Sequence, residues 1–205
     1  RDQTADANAM PAVVRLLATN KAAVQRVALA LCQQLCGSRK ACGALLDAGA
    51  AAPLATMLST SAASDVEVCV AVLECIESLA RAGVTQAQSA LRNAGAVPHL
   101  IQMMSHQNGR VSQLAGALVT ELCPGDVHNA EQLYESGGIV MLAEQLNRAD
   151  DMRSQLQALS ALSQLSSHPQ QAGAIVDNGC VPAILELLDH PSQELKSYAA
   201  ITFGN

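Results

Sequence analysis

The chain has 205 residues, 50% hydrophobic and 15% charged, with a formal net charge of −6, one Phe, two Tyr and no Trp. Its only lysines are Lys21, Lys40 and Lys196, so no cationic cluster exists for a phosphate backbone or an anionic bilayer, which argues against both as partners. No apolar run approaches the roughly 20 residues that span a membrane, and Arg1-Asp2-Gln3 opens without an apolar signal core. The core must be built from Ala, Leu, Val, Ile, Met and Cys, which suits closely stacked helices better than a sheet sandwich.

Along the chain one pattern recurs: an aliphatic residue, a glycine four residues on, then aliphatics five and nine beyond the glycine. It reads Leu45/Gly49/Leu54/Leu58, Leu91/Gly95/Leu100/Met104, Leu133/Gly137/Leu142/Leu146 and Ile175/Gly179/Ile184/Leu188, with glycine steps of 46, 42 and 42 residues. Upstream, Asn8 takes the glycine place before Val13 and Leu17; Asn is the residue that, after Gly, best tolerates a left-handed backbone. A period of this length is the signature of a stacked helical solenoid, whose surface binds other macromolecules.

Residues 84–123 show the organisation of one period. A short helix over 84–92 ends at Asn93-Ala94-Gly95, where Gly95 supplies a left-handed cap. Pro98 opens a second helix with Leu100, Ile101, Met103 and Met104 on its buried side. A polar turn over 105–109 leads to a longer third helix carrying Val111, Leu114, Ala115, Leu118 and Leu122 at helical spacing. Pro11 and Pro182 match Pro98, and Pro53 falls one residue late. The spacing places the ends of the third helices at Leu35, Leu79, Leu122 and Leu165, and assigns the surplus of the 46-residue step to a longer loop over residues 59–64. Repeats are expected over about 1–37 (partial), 38–82, 83–124, 125–167 and 168–205 (truncated), as one array spanning 1–205. The array ends inside a helical pattern without a polar cap at either side, so it reads as a piece of a longer protein.

Chemistry is sparse. Seven cysteines (Cys32, Cys36, Cys42, Cys69, Cys75, Cys123 and Cys180) form no two-residue-spaced pair, which fits a reducing compartment. Cys32, Cys36 and Cys42 could be imagined as a thiolate metal site, but zinc spacing is absent and small buried core residues are the better reading. Histidines at 99, 106, 128, 168 and 190 are scattered, with His168-Pro169 and His190-Pro191 in turns before helices. Asp126 before His128 reads as a helix cap, not as an acid–base pair. There is no phosphate-binding loop, zinc-protease motif or nucleophile elbow, so no catalytic residue, cofactor or metal is assigned.

The Ala94-Gly95-Ala96-Val97-Pro98-His99-Leu100 turn resembles that of the armadillo repeat. Ser136-Gly137-Gly138-Ile139-Val140 and Asn178-Gly179-Cys180-Val181-Pro182 are close variants, and residues 197–205 are similar to the family's third-helix ending. The resemblance implies an all-α, right-handed superhelical solenoid of three-helix repeats. It implies binding of extended peptides along a groove lined by third helices, or service as a scaffold. The importin-α ladder of the family, a Trp followed four residues later by Asn, falls here on Ala30, Glu74, Ala117, Ser160 and Ile201 and on Gln34, Ser78, Glu121, Gln164 and Asn205. Only Asn205 matches. The basic groove of β-catenin is missing too. The Ala/Gln-rich third helices bear a loose likeness to armadillo scaffolds of the ciliary axoneme.

One candidate site remains. Gln34, Glu74, Glu77, Ser78, Glu121 and Gln164 fall on third helices and would line a polar groove with an acidic middle, with Glu74 and Glu121 exposed. Such a strip favours an extended, neutral-to-basic protein segment. The expected function is a non-catalytic interaction scaffold within a cytoplasmic or cytoskeletal multi-protein complex, the axoneme included. A transport adaptor of importin-α type and an accessory domain of a larger enzyme are the alternatives.

Overall fold

The computed structural model describes residues 9–19, 21–61, 65–82, 84–122, 127–147 and 152–205. Asn8, residues 62–64, Cys123 and Asp126, all singled out above, lie outside these. Among the described residues there are fourteen helices and no strand.

They follow the three-helix order. Short first helices are α3 (Arg39–Asp47), α6 (Val84–Asn93), α9 (Val127–Glu135) and α12 (Pro169–Asp177). Second helices are α1 (Ala9–Leu17), α4 (Ala51–Ser61), α7 (Ala96–Met104), α10 (Gly138–Leu146) and α13 (Cys180–Leu188). Third helices are α2 (Ala22–Leu35), α5 (Val66–Ala82), α8 (Gly109–Leu122), α11 (Met152–Leu165) and α14 (Gln193–Gly204).

The recurring glycines do what their spacing requires. Gly49, Gly95, Gly137 and Gly179 have φ of 85°, 73°, 74° and 71°, a left-handed backbone that costs glycine little because it lacks Cβ. In each turn the glycine N–H donates three residues back: to the carbonyls of Leu46, Arg92, Tyr134 and Val176, at 2.8 to 3.1 Å. The orphan carbonyls at the end of each first helix are thereby satisfied. The late Pro53 is absorbed locally. α4 starts one residue further from its glycine than α7 does, so Pro53 and Pro98 both occupy the third helical position. The extra turn residue Ala50 donates its N–H to Leu45 O at 3.1 Å.

Two boundaries differ from expectation. Ser59–Ser61 are helical, so the long step is partly taken up by α4 itself, eleven residues long. Hydroxyls satisfy its last turn: Ser59 Oγ and Thr60 Oγ1 donate to Thr56 O at 2.7 and 3.0 Å. α5 runs three residues past Leu79, to Ala82. Ala80, Arg81 and Ala82 are strong helix formers, Arg81 pairs with Glu77 one turn back, and Arg39 Nε donates to Ala82 O at 3.0 Å.

Contacts divide the chain into two compact units, Arg1–Leu118 and Val119–Asn205. In the first, α2 packs on α5, α3 on α6 and α4 on α7; in the second, α10 packs on α13 and α11 on α14. Equivalent helices of neighbouring repeats thus stack on each other. The core of each unit is the recurring aliphatic set: Leu45, Leu54, Leu58, Leu91, Leu100 and Met104 in one, and Leu133, Leu142, Leu146, Ile175 and Ile184 in the other, all buried. Each such side chain contributes about 1.5–3 kcal/mol over leaving it exposed. Leu188 is only half-buried. No single helix among the described residues is long and apolar enough to cross a membrane.

Candidate functional site

Gln34, Glu74, Glu77 and Ser78 belong to the first unit, and Glu121 and Gln164 to the second. In the first unit the site is built on α2 and α5, which lie against each other. Asp65 fixes the start of α5: its Oδ1 accepts the N–H groups of Glu67 and Val68 at 3.1 and 3.2 Å. Arg26 of α2 clamps the same end, with Nη2 on Asp65 Oδ2 at 2.8 Å and Nη1 on Glu67 Oε2 at 3.1 Å. The guanidinium, then the Val68 N–H, hold the Asp65 carboxyl below its ordinary range, and Asp65 raises Arg26 in turn.

One turn and more further along, Glu74 is a junction. Its Oε1 accepts Arg110 Nη2 at 3.0 Å and its Oε2 accepts Gln33 Nε2 at 3.5 Å. Glu77 Oε1 accepts Arg81 Nη2 at 2.7 Å. Ser78 Oγ donates back to Glu74 O at 2.9 Å. The expectation that Glu74 and Glu121 are exposed is therefore not met: both are half-buried, as is Glu77, and Glu74 and Glu77 each carry an arginine. Sequence reasoning missed Arg110 and placed Gln34, which is exposed, where its neighbour Gln33 makes the inter-helix contacts. The signal was available in part, since Gln33 lies 41 residues before Glu74, close to one period.

Where α2 and α5 end, Gln33, Cys36, Gly37, Arg39, Ser78, Arg81 and Ala82 line an open depression of about 480 Å³. In the second unit, Gln164 Oε1 is buried with no hydrogen-bond partner among the described residues. Asn205, the one ladder match, spends its amide on α11 and the turn after it, donating to Ser163 O at 3.1 Å and to Ser166 Oγ at 2.9 Å.

The remaining candidates have structural roles. His128 Nδ1 lies 3.3 Å from Glu131 Oε2 on its own helix. His106 and His190 accept the N–H groups of Asn108 and Ser192 at 3.0 and 3.1 Å, shaping the turns before α8 and α14. His168 is the N-cap residue of α12. Cys32, Cys36, Cys42, Cys69, Cys75 and Cys180 are free and buried. Among the described residues no group of three or more His, Cys, Asp or Glu is placed to hold a metal ion.

The family model for the armadillo/β-catenin-like repeat matches residues 168–205. The Armadillo segment polarity proteins of Drosophila melanogaster and Musca domestica are each 26% identical over 110 residues, 54% of this chain. That match spans only 13% and 14% of those proteins. Among solved structures, a designed armadillo repeat protein in complex with the peptide (KR)4 has a TM-score of 0.82 at 24% identity, covering 94% of this chain and 80% of that one. An engineered protein reaches a TM-score of 0.85 at 26% identity, covering 95% of this chain and 47% of that one. Glycine turns, stacked three-helix units and these likenesses agree: the chain has the armadillo-type solenoid fold, and residues 168–205 match the family's repeat.

Proposed function

We propose that this chain is a non-catalytic protein-interaction scaffold that accepts an extended partner segment against its third helices. The observation that carries the reading is the α2–α5 surface, where Gln33, Ser78 and a bridged Glu74 are gathered on adjacent third helices. Extended chains present unpaired N–H and C=O groups, which amide and hydroxyl side chains satisfy in both senses. The partnerless Gln164 acceptor in the second unit is a further group that a partner N–H would complete on rotation of the side chain. The peptide complex of the designed neighbour supports the same class of ligand. A neutral-to-basic segment fits best, because a cation can displace Arg110 from Glu74 or join it at the half-exposed carboxylate. The setting we propose is a multi-protein assembly of the cytoplasm or cytoskeleton; pull-downs from ciliated and non-ciliated cells separate an axonemal role from a general one.

The test is anisotropy of labelled (KR)4 against three forms of the chain. Arg110→Ala should bind several-fold more tightly, since it unmasks Glu74. Glu74→Lys with Glu121→Lys should bind more weakly, with the difference shrinking at high salt. Equal affinity for all three forms, with helicity unchanged, would remove the third-helix face from consideration.

A further inference from the structure

Four of the buried thiols lie on neighbouring elements of the first unit. Cys32 comes from α2, Cys36 is the residue that caps its end, Cys42 comes from α3 and Cys75 from α5. Cys32 of α2 and Cys75 of α5 sit on helices that pack against each other. Cys42 Sγ donates to Cys36 O at 3.6 Å, which sets the Cys42 sulfur against Cys36 across the turn. The two pairs differ in access. Cys32, Cys42 and Cys75 are at most 1% exposed, whereas Cys36 is 8% exposed and forms part of the wall of the depression beside Gln33 and Ser78.

We infer that Cys36 and Cys42 are a reversible dithiol–disulfide couple, entered by a hydroperoxide through the depression at the ends of α2 and α5. The Cys36 sulfur attacks one peroxide oxygen, the O–O bond breaks, and Cys36 becomes a sulfenic acid as the peroxide is reduced, releasing water from hydrogen peroxide. Cys42 sulfur then displaces the sulfenic oxygen as a second water, and an S–S bond replaces the two S–H bonds. The two thiols together lose two electrons and two protons, which the peroxide takes up. A thiol reductant reverses the step by exchange. Only Gly37 and Ser38 lie between the end of α2 at Cys36 and the start of α3, so the bond ties the two helices across their turn. It also draws the Cys36 side chain from the wall of the depression toward α3. Burial and the adjacent Cys42 push the Cys36 thiol up, so little thiolate is present and the couple responds to sustained exposure, not to a brief pulse.

The test treats the full chain with hydrogen peroxide, blocks remaining thiols under denaturing conditions and maps the peptides by mass. Sulfoxide at Met152, which is 57% exposed, reports that an effective dose was reached. The expected product is a peptide pair linked through Cys36 and Cys42, two hydrogens lighter and restored by dithiothreitol, with Cys32 and Cys75 still alkylated. Cys42→Ser should leave a sulfenic acid at Cys36 that dimedone traps, whereas the parent yields little adduct. A link between any other two cysteines, over-oxidation of Cys36 with Cys42 still free, or two unreacted thiols in protein whose Met152 is oxidised each overturns the inference. None of these outcomes bears on peptide binding, so the interaction reading stands or falls separately.

Discussion

Gly138→Ala should lower stability by roughly 2–3 kcal/mol, the scale of a forced overpacking, and bring thermal unfolding down by about 5–10 °C for a chain of this size. Gly138 is the first residue of α10 and is buried. A Cβ there would collide with Leu133 Cδ1 and lie 2.6 Å from Leu133 O. The second contact is with backbone, so a rotamer change of Leu133 cannot relieve it. The equivalent residues after the other glycines tolerate a Cβ: Ala96 and Cys180 are both fully buried. In this repeat the turn has closed over the missing side chain, with Leu133 completely buried beside it. A variant melting within about 1 °C of the parent would show that the turn is open and that the packing assigned to Leu133 is wrong.

Gly95→Val tests the other demand that a glycine can meet. Nothing lies within 4 Å of a Cβ built there, so space is not the issue. Its φ of 73° lies in the left-handed region, where a β-branched residue costs roughly 1–3 kcal/mol. Gly95→Asn is the control: it adds comparable bulk but tolerates the left-handed region, so it should melt much closer to the parent than the valine variant. If Val and Asn destabilise equally, bulk and not backbone conformation sets the cost, and the left-handed cap is misassigned.

The parts of the fold that were legible in the sequence are those fixed within one helix or one turn. A left-handed cap demands glycine, so Gly49, Gly95, Gly137 and Gly179 announce it, and the aliphatic residues around them fall at helical spacing. The ends of α4 and α5 were less legible. α4 carries no Gly or Pro stop near its end, and Thr56, Ser59 and Thr60 extend it by bonding its own carbonyls. For α5 the stop in the sequence is Gly83, four residues beyond the Leu79 that the repeat spacing pointed to, and Arg39 from another helix secures the end. For the candidate site, sequence spacing put Glu74, Glu77 and Ser78 on one helix, as found. It could not give their charge state as neighbours, because Arg110 reaches Glu74 across 36 residues and Arg26 reaches Asp65 across 39. Those pairings depend on how one stacked helix is rotated against the next, which no local pattern encodes.

Hydrogen exchange of the full chain, with and without saturating (KR)4, tests the central claim that third helices form the binding surface. The account predicts slowed exchange on the C-terminal halves of α2 and α5, around Gln33, Gln34 and residues 74–82, with first helices and their glycine turns unchanged. Slowing confined to the first or second helices, or none at all under conditions where anisotropy reports binding, would contradict it.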